Sequence, residues 1–102
     1  MISTLRHLVR DGQYRLTLHA RSEMDCDGVS GEELVRALAE PDSEIIQDYP
    51  DDPRGHSHLV LAWLGTGNPL HTCCALHEGQ VVIITVYRPS EVLWTKDWRK
   101  RK

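Results

Sequence analysis

The sequence predicts an α+β fold in which N-terminal helices pack on one face of a mainly four-stranded antiparallel sheet. Helical spacing of apolar residues dominates residues 1–41, whereas short apolar runs separated by turn residues dominate residues 43–88. Helices followed by a series of strands are typical of a sheet that carries its helices on one side. A chain of 102 residues can bury one hydrophobic core and is too short for two, so we expect one domain over residues 1–102.

Three segments of the N-terminal half have the pattern of helices, and the first two flank a short strand. Apolar residues recur at helical spacing from Ile2 to Val9, and Asp11-Gly12 ends that segment. Residues 14–18 alternate like a short strand. Residues 20–26 are good helix formers that stop at Asp27-Gly28.

The third helix has the clearest boundaries. Ser30 and Glu33 have the spacing of a capping box, in which the serine hydroxyl accepts from the third helical amide and the glutamate reaches back. Pro41 cannot continue a helix. The sequence therefore predicts a helix from about Gly31 to Glu40.

The remainder of the chain has the pattern of a sheet. Residues 43–49 are predicted to form an edge strand, and Glu78-Gly79 suits a tight turn between the last two strands. The other three strands are predicted over residues 57–64, 70–77 and 81–88.

The turn at Glu78-Gly79 predicts which residues of the last hairpin share a face. A two-residue turn pairs Thr72 with Thr85 and places both on one face with Tyr87. This face is the better open face, so a site on the sheet would contain Tyr87 rather than His71. The helices are predicted to cover the other set, which is smaller and more uniformly apolar: His71, Cys73, Ala75, Val82, Ile84 and Val86.

The composition indicates an ordinary globular protein, which we expect to be cytoplasmic. The apolar fraction is 40% and the charged fraction is 26%. No apolar run is long enough to span a bilayer, and the start of the chain lacks the features of a signal peptide. Of the three cysteines, Cys73 and Cys74 are adjacent and would point to opposite faces of a strand, so we expect reduced thiols.

The net charge of −3 is unevenly distributed along the chain. Residues 20–52 are strongly acidic and contain only two basic residues, Arg21 and Arg36. Basic residues predominate over residues 53–102. A protein that binds nucleic acid usually has a basic stripe, which only this C-terminal half could supply.

A series of short motifs runs through the chain in a defined order. These are His19-Ala20, Met24, Gly28-Val29-Ser30, Ala37-Leu38, Pro41, Asp48-Tyr49-Pro50, Leu59-Val60-Leu61, Pro69-Leu70-His71, Ile83-Ile84-Thr85-Val86-Tyr87 and Trp94. Together they resemble the bacterial domain-of-unknown-function (DUF) family four-two-five-eight over roughly residues 14–98, which leaves a basic tail at 99–102. The resemblance implies a RelE-like or barnase-like fold and metal-independent RNA cleavage or a related toxic binding activity. It also implies RNA and a protein antitoxin as partners, and no cofactor. Whether the protein forms a homodimer is left open.

The candidate catalytic residues are His19, Tyr87 and Arg88. Metal-independent RNA cleavage needs a group that accepts the 2′-hydroxyl proton, a group that protonates the leaving oxygen, and cations around the phosphate. His19 lies at a strand-to-helix junction, and imidazole can serve in either proton role. Tyr87 would help to position the substrate or to protonate the leaving oxygen, and Arg88 would neutralise the charge of the phosphate. The structural alternatives are a histidine that caps its helix and a tyrosine half-buried at a sheet end.

Four further residues are candidate RNA contacts: Arg21, Trp94, Arg99 and Lys100. The three cations could meet phosphate groups, and Trp94 could stack on a base. The alternatives are solvated surface cations and a tryptophan that plugs the core from the C-terminal segment.

A metal site is the strongest rival chemistry. His56 and His58 share one strand face, as do His71 and Cys73. The predicted strand pairing separates the two pairs by roughly 15–20 Å, which argues against a joint site. His56 and His58 meet His77 only if the register slips by one residue, so we expect no metal site.

Two positions favour a function of a different class. Members of the family often have arginines where this chain has Glu23 and Asp27, and carboxylates there repel phosphate. The alternative function is a non-catalytic protein-interaction module, whose acidic helical half or sheet edge binds a protein partner.

Overall fold

Three helices and one five-stranded sheet make up the protein in a computed structural model, which describes residues 1–102. The elements in chain order are α1 Ile2–Arg10, β1 Tyr14–Leu16, α2 Leu18–Asp27, α3 Gly31–Ala39, β2 Glu44–Tyr49, β3 Ser57–Trp63, β4 Pro69–His77 and β5 Gln80–Tyr87. The strand order is β1-β5-β4-β3-β2. The α+β class is confirmed, but the sheet is five-stranded and mixed rather than mainly four-stranded and antiparallel.

The short strand β1 accounts for this difference. It pairs in parallel with β5, so that Tyr14 lies beside Val81 and Leu16 beside Ile83. Parallel neighbours require a long crossover connection, and here all elements from α2 to β4 lie between the two strands. Such a distant pairing leaves no trace in the local pattern of residues 14–18.

The ends of the helices follow from local capping. Thr17 Oγ1 accepts from the Ala20 amide at 3.0 Å, which starts α2 two residues before the predicted position. The reciprocal Ser30–Glu33 hydrogen bonds, 3.0 and 3.1 Å long, confirm the predicted capping box of α3. Gly28 ends α2 with a φ of 67°, in the left-handed region that glycine adopts readily. No helix here combines the length and apolarity needed to cross a membrane.

The main core lies between the helices and one face of the sheet. Helices α1 and α3 contribute Leu5, Val9, Leu34 and Leu38, each at most 1% exposed. Burial of one such side chain contributes ~1.5–3 kcal/mol to folding, so this cluster is the main source of stability for the helical layer.

The helices cover the face of β4 and β5 opposite to the predicted one. Cys74, Val81 and Ile83 belong to the core beneath the helices. On the other face, Cys73, Ala75, Val82 and Ile84 form a smaller buried cluster. That face is also partly covered, by the loop of residues 50–56 and by the C-terminal segment. Uniform apolarity therefore did not distinguish the helix-covered side, and the prediction is wrong for Cys73, Ala75, Val82 and Ile84 but correct for Val86.

The hairpin of β4 and β5 begins as predicted. Glu78 and Gly79 both have positive φ angles, 49° and 78°, as a two-residue turn of this kind requires. His77 then pairs with Gln80, and the pairing continues without interruption to Cys74 and Ile83.

Beyond Cys74 a β-bulge shifts the register by one residue. Ile84 is the extra residue, because Cys73 pairs with Thr85 rather than with it. Thr72 pairs with Val86, so the predicted pairing of Thr72 with Thr85 is wrong. The bulge brings Val86 into the core beneath the helices.

Candidate functional site

A surface depression lies between α2 and the end of β5. Its volume is about 440 Å³, and it is the place where the three candidate catalytic residues occur together. We call it the α2–β5 depression. Its lining consists of His19, Ser22, Glu23, Cys26, Asp27, Tyr87 and Arg88.

His19 reaches the depression because Thr17 caps α2 and places His19 in its first turn. The imidazole is well exposed, and its Nε2 lies 3.2 Å from Glu23 Oε1, one helical turn further on. His19 does not itself cap the helix, since that role belongs to Thr17. An exposed imidazole paired with a carboxylate is a suitable group for accepting a proton from a substrate.

Glu23 and Asp27 join α2 to the end of β5. Glu23 Oε1 accepts a hydrogen bond from the Val86 amide at 2.9 Å, next to the bulge. Asp27 Oδ2 accepts from the Arg88 amide at 3.3 Å. The two carboxylates that the sequence marks as departures from the family therefore have structural partners on the backbone of β5 and the residue after it.

Arg88 follows the last residue of β5, so strand alternation does not force it away from Tyr87. Its Nε donates to the Asp27 carbonyl at 3.2 Å, and no carboxylate lies within ion-pair distance of its guanidinium. The two Nη groups make no hydrogen bond to the protein. They remain available for a bidentate contact with an anion such as phosphate.

Tyr87 is hydrogen-bonded to His71, which lies beside it on β4. Tyr87 Oη is 3.0 Å from His71 Nδ1, and His71 Nε2 is 2.8 Å from the Trp98 carbonyl oxygen. A carbonyl oxygen can only accept, so the His71 Nε2–H donates to it and Nδ1 accepts from the Tyr87 hydroxyl. Burial lowers the pKa of His71, in agreement with this neutral tautomer.

The phenol of Tyr87 is difficult to ionise. Desolvation by burial raises its pKa to about 12. With its proton donated to the buried His71, the hydroxyl does not readily release that proton. Of the two predicted roles of Tyr87, this environment favours positioning.

Trp94 lies apart from the depression. It is only 3% exposed, and its ring makes an edge contact with His71 at a centroid distance of 4.4 Å. The Arg101 guanidinium lies 5.5 Å from the centroid of the indole. A base cannot stack on this ring in the present conformation, so its burial agrees with the core-plug alternative.

The C-terminal residues fold back instead of forming a free basic tail. Trp94 and Arg101 form an isolated antiparallel bridge, and the Lys102 amide donates to the Leu93 carbonyl at 2.9 Å. Arg99 forms an ion pair with Glu44 of the edge strand β2. Its charge is therefore partly neutralised.

The remaining candidate RNA contacts, Arg21 and Lys100, are exposed. Neither their side chains nor that of Arg99 line the α2–β5 depression. The structure thus brings together the three candidate catalytic residues and does not bring the four candidate RNA contacts to the same place.

His71 and Glu23 are the site residues that sequence reasoning missed as participants. His71 lies in a continuous apolar strand, where a histidine has the pattern of a core residue, and it is indeed fully buried. Its pairing with Tyr87 depends on the bulge at Ile84, which no turn residue signals. A carboxylate four residues after His19 was a local signal for Glu23, because positions i and i+4 are neighbours on a helix.

The histidines considered as metal ligands are arranged differently from the prediction. His58 pairs with Cys74 and His71 with Leu61, because Trp63 pairs with Pro69 and shifts the predicted register by two residues. His77 lies 3.6 Å from Glu78 and does not join the others. His56 and His58 instead meet Asp48 of β2.

The fold defines the class of protein, a small α+β domain with helices on one face of its sheet. Residues 16–88 match the family described as Domain of unknown function (DUF4258). The chain belongs to this family. Neither a curated protein nor a solved structure matches it.

Proposed function

We propose that this protein is a RelE-like, toxin-like domain that cleaves or binds RNA without a metal, within a toxin–antitoxin type of bacterial system. The observation that carries the proposal is the shared position of His19, Tyr87 and Arg88 around the α2–β5 depression. Two features support the resemblance to RelE-like domains. The helices lie on one face of the sheet, and a depression lined by polar and charged side chains lies at the end of a strand.

The proposed reaction is an internal transfer at phosphorus. The 2′-oxygen attacks the phosphorus, the bond from phosphorus to the 5′-oxygen breaks, and a 2′,3′-cyclic phosphate forms. His19 accepts the proton of the 2′-hydroxyl, and the 5′-oxygen takes up a proton from the imidazolium or from water. Arg88 stabilises the charge that develops on the phosphate, and Tyr87 positions the substrate through its hydroxyl oxygen.

The charges of the depression set the limits of this proposal. Arg88 is the only cation among the lining residues other than a protonated His19, whereas Glu23 and Asp27 are both acidic. These carboxylates weaken the local attraction for phosphate. RNA binding by this member is therefore expected to be weak and strongly dependent on salt.

A second candidate function, a non-catalytic protein-interaction module, is favoured by one specific observation. Leu18, immediately before His19, is 86% exposed although leucine is usually buried. Its neighbours one turn further along α2 are Arg21 and Ser22, and Ser22 lines the depression. A protein partner such as an antitoxin would cover this leucine and the adjoining depression.

A cleavage assay distinguishes the two functions. Purified protein is incubated with mixed RNA in EDTA, and products are followed for wild type, His19→Ala and Arg88→Ala. Each substitution is expected to lower the rate by ~10²-fold or more, because each removes a group that acts in the transition state. His7→Ala is the matched control, since His7 forms the same kind of pair, with Asp11, on another helix.

Equal rates in all four proteins, or no cleavage by any, would contradict the catalytic proposal. If none of the proteins cleaves RNA but RNA binding is retained, the protein would be an RNA-binding rather than an RNA-cleaving domain. Loss of both activities would leave the interaction module, which a search for a partner sensitive to Leu18→Asp then tests.

A further inference from the structure

A second cluster of chemically active side chains lies at the hairpin of β2 and β3, away from the α2–β5 depression. It consists of Asp48, His56 and His58, which each offer one metal-binding atom. These three atoms all lie within 4.8 Å of one another. We call this group the hairpin cluster.

The sheet register explains why the three side chains meet. Asp48 of β2 pairs directly with His58 of β3, so their side chains share one face. His56 lies two residues before His58, and residues two apart in extended chain also share a face. The centroids of the two imidazole rings lie 4.6 Å apart, and both rings contact the same carboxylate oxygen, Asp48 Oδ1.

The loop that carries His56 is held in place by its own hydrogen bonds. Asp52 accepts from the Ser57 hydroxyl at 2.7 Å and from the Arg54 amide at 2.9 Å. Arg54 also pairs with the same carboxylate through its guanidinium, at 2.9 Å. These hydrogen bonds order the loop and thereby hold His56 next to His58.

One atom of the cluster lacks a partner in the protein. His58 Nδ1 lies 2.9 Å from Asp48 Oδ1, yet the direction of this contact does not make a hydrogen bond, and the nitrogen is buried. A buried polar atom without a partner is costly and uncommon. A metal ion bound beside the Asp48 carboxylate would give both His58 Nδ1 and Asp48 Oδ1 a partner.

The donor set suits a transition metal of the zinc type. Imidazole nitrogen and carboxylate oxygen are ligands of zinc, copper and nickel, whereas magnesium and calcium prefer oxygen alone. Two donors on one tetrahedral zinc lie about 3.3 Å apart, given bonds of about 2.0–2.1 Å. The two nitrogens lie 2.5 and 2.9 Å from Asp48 Oδ1, so each needs to move away from that oxygen by less than about 1 Å.

The side chains can make this adjustment. Asp48 and His56 are 55% and 52% exposed and can move, whereas His58 is only 13% exposed and supplies a fixed point. Three protein ligands leave a fourth position for water. No other histidine in the protein has two further ligands close by: His7, His19 and His77 each pair with a single carboxylate.

We propose that Asp48, His56 and His58 bind one divalent transition-metal ion, with zinc as the reference ion and water at the open position. This site is separate from the proposed RNA chemistry, because none of its residues lines the α2–β5 depression. Its ligands come from β2 and from the start of β3, so a bound ion would stabilise the pairing of the edge strand β2 with β3.

Calorimetric titration with zinc chloride tests the proposal. The protein is first treated with EDTA and dialysed, then compared with Asp48→Asn, His56→Asn and His58→Asn. We expect a single site in the wild type and a loss of affinity of about tenfold or more in each variant. Magnesium chloride should give no binding, since the donor set contains two nitrogens.

Two control variants separate this site from other zinc ligands. His7→Asn removes an exposed histidine that pairs with one carboxylate only, that of Asp11. Cys26→Ser removes the exposed thiol. Both should keep the affinity of the wild type. His56→Asn is the decisive variant, because its exposed ring can be removed without disturbing the core.

The proposal is overturned if zinc does not bind, if His56→Asn binds as tightly as the wild type, or if a control variant loses the same affinity. A zinc-dependent rise in Tm for the wild type that is absent in His56→Asn would support it. Cleavage of RNA in EDTA bears only on the other proposal, so the two can fail independently.

Discussion

Tyr87 and His71 lie side by side on neighbouring strands, with Tyr87 Oη 3.0 Å from His71 Nδ1. The other nitrogen of the same ring contacts the Trp98 carbonyl at 2.8 Å. One buried imidazole thus connects the C-terminal segment to a residue of the α2–β5 depression. The geometry of that depression depends on groups that no substrate touches.

Tyr87→Phe should lower the free energy of unfolding by ~1–3 kcal/mol. The substitution keeps the ring but leaves His71 Nδ1 buried without its donor, and an unsatisfied buried group costs about this much. Urea denaturation monitored by circular dichroism measures the change. Tyr49→Phe is the matched control, since the Tyr49 hydroxyl bonds only to the exposed Gln47 side chain. Equal losses in the two variants would contradict the role given to His71.

The stability of the protein should fall as the pH is lowered through about 6.5. Burial lowers the pKa of His71 in the folded protein below its ordinary value of 6.5, so the unfolded chain binds the proton more readily. Its contribution is complete above that ordinary value and is lost as the pH falls towards the lowered folded pKa. Unfolding free energies of wild type and His71→Gln, measured from pH 5 to pH 8, isolate this effect. Identical pH slopes would show that folding does not lower the pKa of His71 and would contradict this prediction.

Glu23→Gln should strengthen RNA binding while it preserves the fold. The amide oxygen can still accept from the Val86 N–H, whereas the negative charge beside Arg88 and His19 is removed. Removal of one like charge at about 4 Å in water is worth ~1 kcal/mol, or about fivefold in affinity at low salt. Fluorescence anisotropy with a labelled RNA measures it.

Asp25→Asn provides the control for this charge change. Asp25 lies on the same helix and is exposed, but it does not line the depression. A similar gain in both variants would assign the effect to net charge alone. No gain in Glu23→Gln, at low as well as moderate salt, would favour the protein-interaction module.

Local signals predicted those parts of the fold that local interactions determine. The capping box of Ser30 and Glu33 and the turn at Glu78-Gly79 form within a few residues, so the sequence pattern is sufficient to identify them. The three candidate catalytic residues lie near the start of α2 and the end of β5, which the sequence predicted to within two residues. Their occurrence around one depression follows from the packing of α2 against β5.

Features that depend on distant contacts were not predictable in this way. The parallel pairing of β1 with β5 joins segments separated by most of the chain. The helix-covered face was misassigned because Ile84 and Val82 are buried on the opposite side, beneath other parts of the chain. The hairpin cluster was missed because its third member, Asp48, comes from a neighbouring strand whose register was not predicted.

The extra residue at Ile84 also constrains how this strand can change in length. Side chains before it and after it follow opposite phases of the strand alternation, so Ile83 and Val86 both point into the core. Deletion of Ile84 alone would remove the bulge and leave Ile83, Val86 and Tyr87 on the faces that they now occupy, with Tyr87 still beside His71. A single deletion between Ile83 and Tyr87 should therefore be tolerated better than a single insertion, which would turn Tyr87 away from His71.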